Sequence, residues 1–214
     1  LAAKIKHNIA YILEKIDRDK NINRSIKYYE EAITLYEKYQ MYGSLAITHN
    51  NLAVIYENVF KNSKKSLEYY EKSLYYARKS DSKDDSLLFI LINLFIKYFE
   101  AFDFKKHKKT LNEIEKILKK NKFSPYKLRY YIIYLIQELS LGNFEKASNL
   151  IYNGNKLIRN NIYKEYIYDF IFTKSYYYII RNEFKNFYKI FYDYFNKNIE
   201  NIESDYLIDF LENN

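Results

Sequence analysis

Apolar and small residues recur at helical spacing along most of this chain. In the segment Arg24-Ser25-Ile26-Lys27-Tyr28-Tyr29-Glu30-Glu31-Ala32, the residues Ser25, Tyr29 and Ala32 stand at i, i+4 and i+7, on one face of a helix. The pattern returns 41 residues later as Lys65-Ser66-Leu67-Glu68-Tyr69-Tyr70-Glu71-Lys72-Ser73. It continues as His107, Leu111 and Ile114, then as Ala147, Ile151 and Gly154, then as Phe187, Phe191 and Tyr194. Ahead of each copy lies a second amphipathic stretch. These predict helices over Ala3–Lys15, Leu45–Asn58, Ser86–Ala101, Pro125–Leu141 and Tyr163–Arg181.

Five helical hairpins follow, over about 1–41, 42–81, 82–122, 123–160 and 161–201. A hairpin of about 40 residues cannot cover its own apolar stripe, so neighbours must stack and bury it between them. Small residues (Ala10, Ala32, Ala53, Ser66, Ser73, Ala147, Gly154) are expected where helices close, with Tyr29, Tyr56, Tyr70, Phe104 and Phe144 filling the gaps. Ser204 to Leu211 reads as a short amphipathic helix, 203–212, over the end of the array, with Ser204 able to cap it. No long linker interrupts residues 1–214, so one domain is expected.

Composition narrows the class. Three Gly and one Pro among 214 residues leave too little turn chemistry for a sandwich, barrel or dinucleotide-binding sheet. With Cys at zero, thiolate zinc sites, disulfides and a Cys nucleophile are excluded. No apolar run approaches the roughly 20 residues of a membrane helix. The chain opens on Leu1 rather than Met, which points to a fragment or processed product of a larger protein. A net charge of +8 with 27 Tyr and 15 Phe invites a nucleic-acid reading. The aromatics fall at core spacing, however, and codon usage in an AT-rich genome accounts for their abundance.

The residues Asn51-Leu52-Ala53-Val54-Ile55-Tyr56 followed by Ser66-Leu67-Glu68-Tyr69-Tyr70-Glu71-Lys72-Ser73-Leu74 resemble the tetratricopeptide repeats, and Leu141-Gly142-Asn143-Phe144-Glu145-Lys146-Ala147 gives a second match. The period of 40–41 exceeds the family's usual 34, Trp is absent, and bulky His107 and Phe187 stand where small residues are usual. The long period is similar to repeats of bacterial signalling proteins, including cytoplasmic peptide-sensing regulators. The resemblance implies an all-α fold, a right-handed superhelical α-α solenoid of about five such hairpins plus a C-terminal capping helix. It also implies a peptide- or protein-binding module, the sensory or regulatory part of a larger cytoplasmic protein, with an extended segment held on the concave face by the first helices.

On those helices Asn8, Asn51 and Asn93 fall in register. A carboxamide donates and accepts at once, so a row of them suits a peptide backbone. The same surface is expected to carry Lys4, His7, Tyr11, Asn50, Val54, Phe89, Ile92, Ile96 and Arg129, grading from polar to apolar. A segment of the protein itself is a competing occupant. Copies are also expected to associate through terminal repeats.

No Gly-rich phosphate loop, nucleophile elbow or carboxylate pair is present, so no enzyme and no cofactor are expected. His7, His49 and His107 lack ligand spacing, and no metal is expected. Ser80 to Asp85 reads as a solvated loop rather than a calcium loop. Eight Lys against two acidic residues from Lys105 to Lys122 read as an outward solvated face. A structural assembly scaffold is the first alternative function. An RNA-associated helical repeat is the second, disfavoured because the outward residues change from hairpin to hairpin.

Overall fold

The computed structural model describes residues 1–16, 18–80, 84–121, 124–158 and 166–198. Among them are ten helices: α1 Ala2–Lys15, α2 Arg18–Lys38, α3 Tyr42–Asn58, α4 Ser63–Lys79, α5 Asp84–Glu100, α6 Phe104–Lys120, α7 Tyr126–Ser140, α8 Phe144–Leu157, α9 Ile167–Ile180 and α10 Phe184–Asn198. No strand occurs among the described residues, and the fold is all-α, built from helical hairpins. The expected capping segment 203–212, the helix start at Tyr163, and Asp81 and Lys122 lie outside the described residues.

A recurring turn sets the period. Phe102, Gly142 and Asn182, forty residues apart, adopt left-handed backbone with φ of 57°, 71° and 57°. In each turn the next N–H reaches back five residues: Asp103 to the Tyr98 carbonyl (2.9 Å), Asn143 to Glu138 (2.8 Å) and Glu183 to Tyr178 (2.9 Å). This is the Schellman arrangement, which satisfies carbonyls that a helix end would leave bare. The same residue then starts the next helix; the Asp103 carboxylate accepts from the Lys106 N–H at 3.0 Å. Only one of the three positions is glycine.

Two helix starts differ from expectation. Helix α3 begins at Tyr42, ahead of Leu45, because Gln40 (φ 51°) and the Met41 N–H bond to the Tyr36 carbonyl make the same turn between hairpins. Asp84 and Asp85, read as loop, form the first turn of α5. Carboxylates are favoured at a helix N-terminus, and Asp85 Oδ1 also accepts from Asn121 Nδ2 (3.0 Å) and Ser124 Oγ (2.6 Å).

By internal contacts the chain forms two compact units, Leu1–Tyr126 and a second from Lys127 onward. In the first, α1–α6 pack only with their sequence neighbours to any large extent. Ala10, Ile22, Tyr29, Leu52 and Ile55 make one core cluster, and Ala3, Ala32, Tyr36 and Leu45 another. Each fully buried Leu or Ile stabilises such a seam by about 1.5–3 kcal/mol. In the second unit, buried Glu138 on α7 accepts from Asn143 Nδ2 (2.7 Å) and Lys146 Nζ (3.2 Å), closing the α7–α8 hairpin.

The small residues sit where helices close. Ala10, Ala32, Ala53, Ser66, Ser73 and Ala147 are completely buried. A Cβ on Gly154 would collide with the Phe170 ring. Phe104 is an exception among the gap-fillers: it is largely exposed, edge-on to Phe99 and Phe102 at the turn.

Contacts across the hairpins are built in register. Ser25 Oγ donates to the Ala10 carbonyl at 2.7 Å. In the third hairpin the equivalent residues are His107 and Phe95; His107 Nδ1 donates to the Phe95 carbonyl at 2.9 Å, and the two rings stack at 4.2 Å. Bulky His107 therefore fits because its partner also changed size.

Candidate functional site

An α-helix shows solvent one stripe, spaced i, i+3 or i+4, i+7. In the first unit that stripe on the first helices passes through the three aligned asparagines. It runs through Lys4, Asn8 and Tyr11 on α1, Ile47, Asn51 and Val54 on α3, and Phe89, Asn93 and Ile96 on α5. Burial deepens along the row. Asn8 is exposed, Asn51 is half-buried, and Asn93 is only 5% exposed.

Their bonds differ accordingly. Asn51 Nδ2 donates to the Tyr29 hydroxyl at 3.3 Å. Asn93 Nδ2 donates to Asn50 Oδ1 at 3.0 Å, a buried amide pair between α3 and α5. Lys97 of α5 reinforces that junction through Glu57 of α3 at 2.6 Å. Burial pulls the Lys97 ammonium down, but hydrogen bonds and charges from Glu100 and Glu57 outweigh it and hold it above its ordinary range.

Between α3 and α5 lies a cavity of about 510 Å³, lined by residues that include Ile47, Asn50, Asn51, Ser86, Phe89 and Tyr126. Among the described residues, every lining side chain is uncharged. The Phe89 and Tyr126 rings stand 5.3 Å apart and tilted. Asn50 Nδ2 and Asn51 Oδ1 make no hydrogen bond among the described residues. One wall of the cavity thus offers a spare donor and a spare acceptor side by side, above an aliphatic and aromatic floor. That chemistry matches one peptide unit with an apolar side chain beside it.

The other residues expected at this surface are placed as follows. His7 is half-buried, and its Nδ1 donates to Thr48 Oγ1 at 2.9 Å, since the Thr48 hydroxyl is itself spent on the Ser44 carbonyl. Burial holds the His7 imidazole below its usual range. Ile92 is completely buried, one helical step round from Asn93, and offers no surface. Arg129 belongs to the second unit. Ile47, Ser86 and Tyr126 were not anticipated. Ile47 follows from the i−4 spacing that relates Lys4 to Asn8 and Phe89 to Asn93; Tyr126 has no such signal, because it reaches the cavity from beyond the α6 loop.

His49 is buried between the Tyr76 ring (5.2 Å, parallel) and the Tyr69 ring (5.8 Å), with neither nitrogen bonded among the described residues. Burial, helped by Lys72, pushes it down to about 4. It is a neutral packing element. Among the described residues no group of three His, Cys, Asp or Glu side chains could hold a metal ion, and no helix is long and apolar enough to cross a membrane. On α6, Lys106 pairs with Glu71 at 2.7 Å, while Lys105, Lys108, Lys109, Lys116, Lys119 and Lys120 are exposed.

No protein-family model matches the chain. No curated protein matches it.

Proposed function

We propose that the chain is a peptide- or protein-binding helical repeat module of tetratricopeptide type, the sensory or regulatory part of a larger bacterial protein acting in the cytoplasm. What carries the reading is the cavity between α3 and α5, whose described lining is uncharged and where Asn50 Nδ2 and Asn51 Oδ1 are both unspent among the described residues. An extended segment lays one backbone amide against these two groups and lowers a Leu- or Phe-sized side chain onto Ile47, Phe89 and Tyr126. The exposed stripe of α1, with Lys4, Asn8 and Tyr11, takes the more polar end of the same segment.

Magnitudes bound the affinity. Two net hydrogen bonds at about 0.5–1.5 kcal/mol each and one buried aliphatic side chain at about 1.5–3 kcal/mol give binding from about 10 mM to tens of micromolar at most. Tighter capture needs further contacts along the stripe.

The test is calorimetric titration of capped six-residue peptides of Gly, Ala and Ser with a central Leu, Phe, Glu or Lys. The Leu and Phe peptides are expected to bind, and the charged ones not. Ile47→Asp, which puts a charge into the cavity, should abolish binding, and Asn51→Ala should weaken it by about 10-fold, both with helicity intact by circular dichroism. Equal binding of all four peptides, or an Ile47→Asp protein that binds normally, rejects the reading.

A further inference from the structure

Asp85 and Phe89 stand one turn apart on the same side of α5. Phe89 lines the cavity between α3 and α5. Asp85, half-buried, holds the chain where it returns from α6. Its Oδ1 accepts from Ser124 Oγ at 2.6 Å and from Asn121 Nδ2 at 3.0 Å. Ser124 Oγ in turn accepts from the Tyr126 N–H at 3.3 Å, and Ser124 is fully buried. One hydroxyl therefore couples the Asp85 carboxylate to the backbone of Tyr126, the residue whose ring meets Phe89 at 5.3 Å. Hydrogen bonds to an ionised carboxylate are among the strong ones.

Asp84 marks the contrast. It shares the first turn of α5, but it is exposed and makes no such bond among the described residues. A negative charge at a helix N-terminus favours that helix alone. Asp85 also fixes where α7 begins, and so where the Tyr126 ring stands.

That placement bears on what the site selects. A cavity of about 510 Å³ has room for an aliphatic or an aromatic side chain, so volume does not decide between them. The tilted Phe89–Tyr126 pair does. An incoming ring gains edge and face contacts with two fixed rings, beyond what burial gives, and an aliphatic side chain does not. The gain needs Tyr126 in place beforehand, because a ring that is ordered only on binding loses much of it to its own immobilisation. We propose, on the reading of the cavity as a peptide site, that its preferred occupant is a segment anchored by an aromatic side chain. Asp85 is the positioning residue, holding Tyr126 against Phe89 through Ser124.

Two measurements test this. The chain has no Trp, so Tyr126→Trp places a single fluorescent reporter at the cavity. In that background Asp85→Ala and Ser124→Ala should each red-shift the emission and raise acrylamide quenching, and the double variant should be no worse, because both act through one relay. Asp84→Ala should leave quenching unchanged, and so should Asp85→Asn, whose amide oxygen still accepts from Ser124. The second measurement is the peptide titration with the native Tyr126. The Phe peptide should bind about 2- to 10-fold more tightly than the Leu peptide, and in Asp85→Ala that ratio should fall to about one. Asp85→Asn should restore most of the preference. Equal Phe and Leu affinities in the parent, or a preference that survives Asp85→Ala, overturn the proposal. So does quenching that Asp84→Ala raises as much as Asp85→Ala, which assigns Asp85 to the helix end alone. Failure of every peptide to bind the parent is a different result: it rejects the peptide reading and the aromatic preference with it, while quenching still decides whether Asp85 places Tyr126.

Discussion

The first and third hairpins close the same contact with side chains of opposite size. In the first, Ala10 meets Ser25, and the hydroxyl donates to the Ala10 carbonyl. In the third, Phe95 meets His107, and the ring N–H donates to the equivalent carbonyl while the rings stack. The second hairpin has the small pair, Ala53 and Ser66, but Ser66 Oγ is buried with no partner among the described residues. The repeat therefore preserves a packing register and its fit, while the hydrogen bond comes and goes. A sequence match that demands small residues at both positions undervalues the third hairpin, where both changed together.

The largest effect that tests this comparison is Phe95→Ala. It restores the residue type of the first hairpin opposite a His107 that no longer has a stacking partner, and should cost about 3–5 kcal/mol in urea unfolding. The double variant Phe95→Ala/His107→Ser copies the first hairpin's pair outright. It should remain well below the parent, since the backbone there is spaced for large groups; full recovery would show that residue type alone sets the fit.

Next comes the ring in the second hairpin. His49 is held neutral in the fold, down to about pH 4, whereas the unfolded chain takes up its proton near the ordinary 6.5. The unfolded state binds more protons in that window. Stability is therefore full above pH 6.5 and falls by about 3 kcal/mol as pH drops to 4. Thermal unfolding across that range checks it, and His49→Phe should flatten the slope.

The smallest effect separates the two buried serines. Ser25→Ala removes a hydrogen bond and should cost about 1 kcal/mol. Ser66→Ala removes a buried hydroxyl that has no partner, and should be neutral or slightly stabilising. Equal losses in the two variants would mean that the hydroxyls contribute through shape alone.

Much of the architecture was legible because its signal is periodic. Ser25, Ser66, His107 and Ala147 carry the register across changes in side-chain type, and the first helices follow at fixed distance. The stripe of Asn8, Asn51 and Asn93 was legible in direction for the same reason. Its depth was not. Helical spacing gives the angle at which Asn93 leaves α5, but the burial of that amide against Asn50 depends on how closely α3 and α5 approach. Asp84 and Asp85 were misread because a run of charge looks like loop, while two carboxylates at a helix start look the same in sequence. The cavity needed Tyr126, brought in by a connection that periodicity does not describe.

The turns that contain Phe102, Gly142 and Asn182 join helices adjacent in the chain, and the strong helix contacts also link sequence neighbours. Little loop closure over long distances is therefore required during folding, a topology associated with fast acquisition of structure. As the polypeptide leaves the ribosome, each pair of helices has its template already exposed, and assembly can proceed in the direction of synthesis.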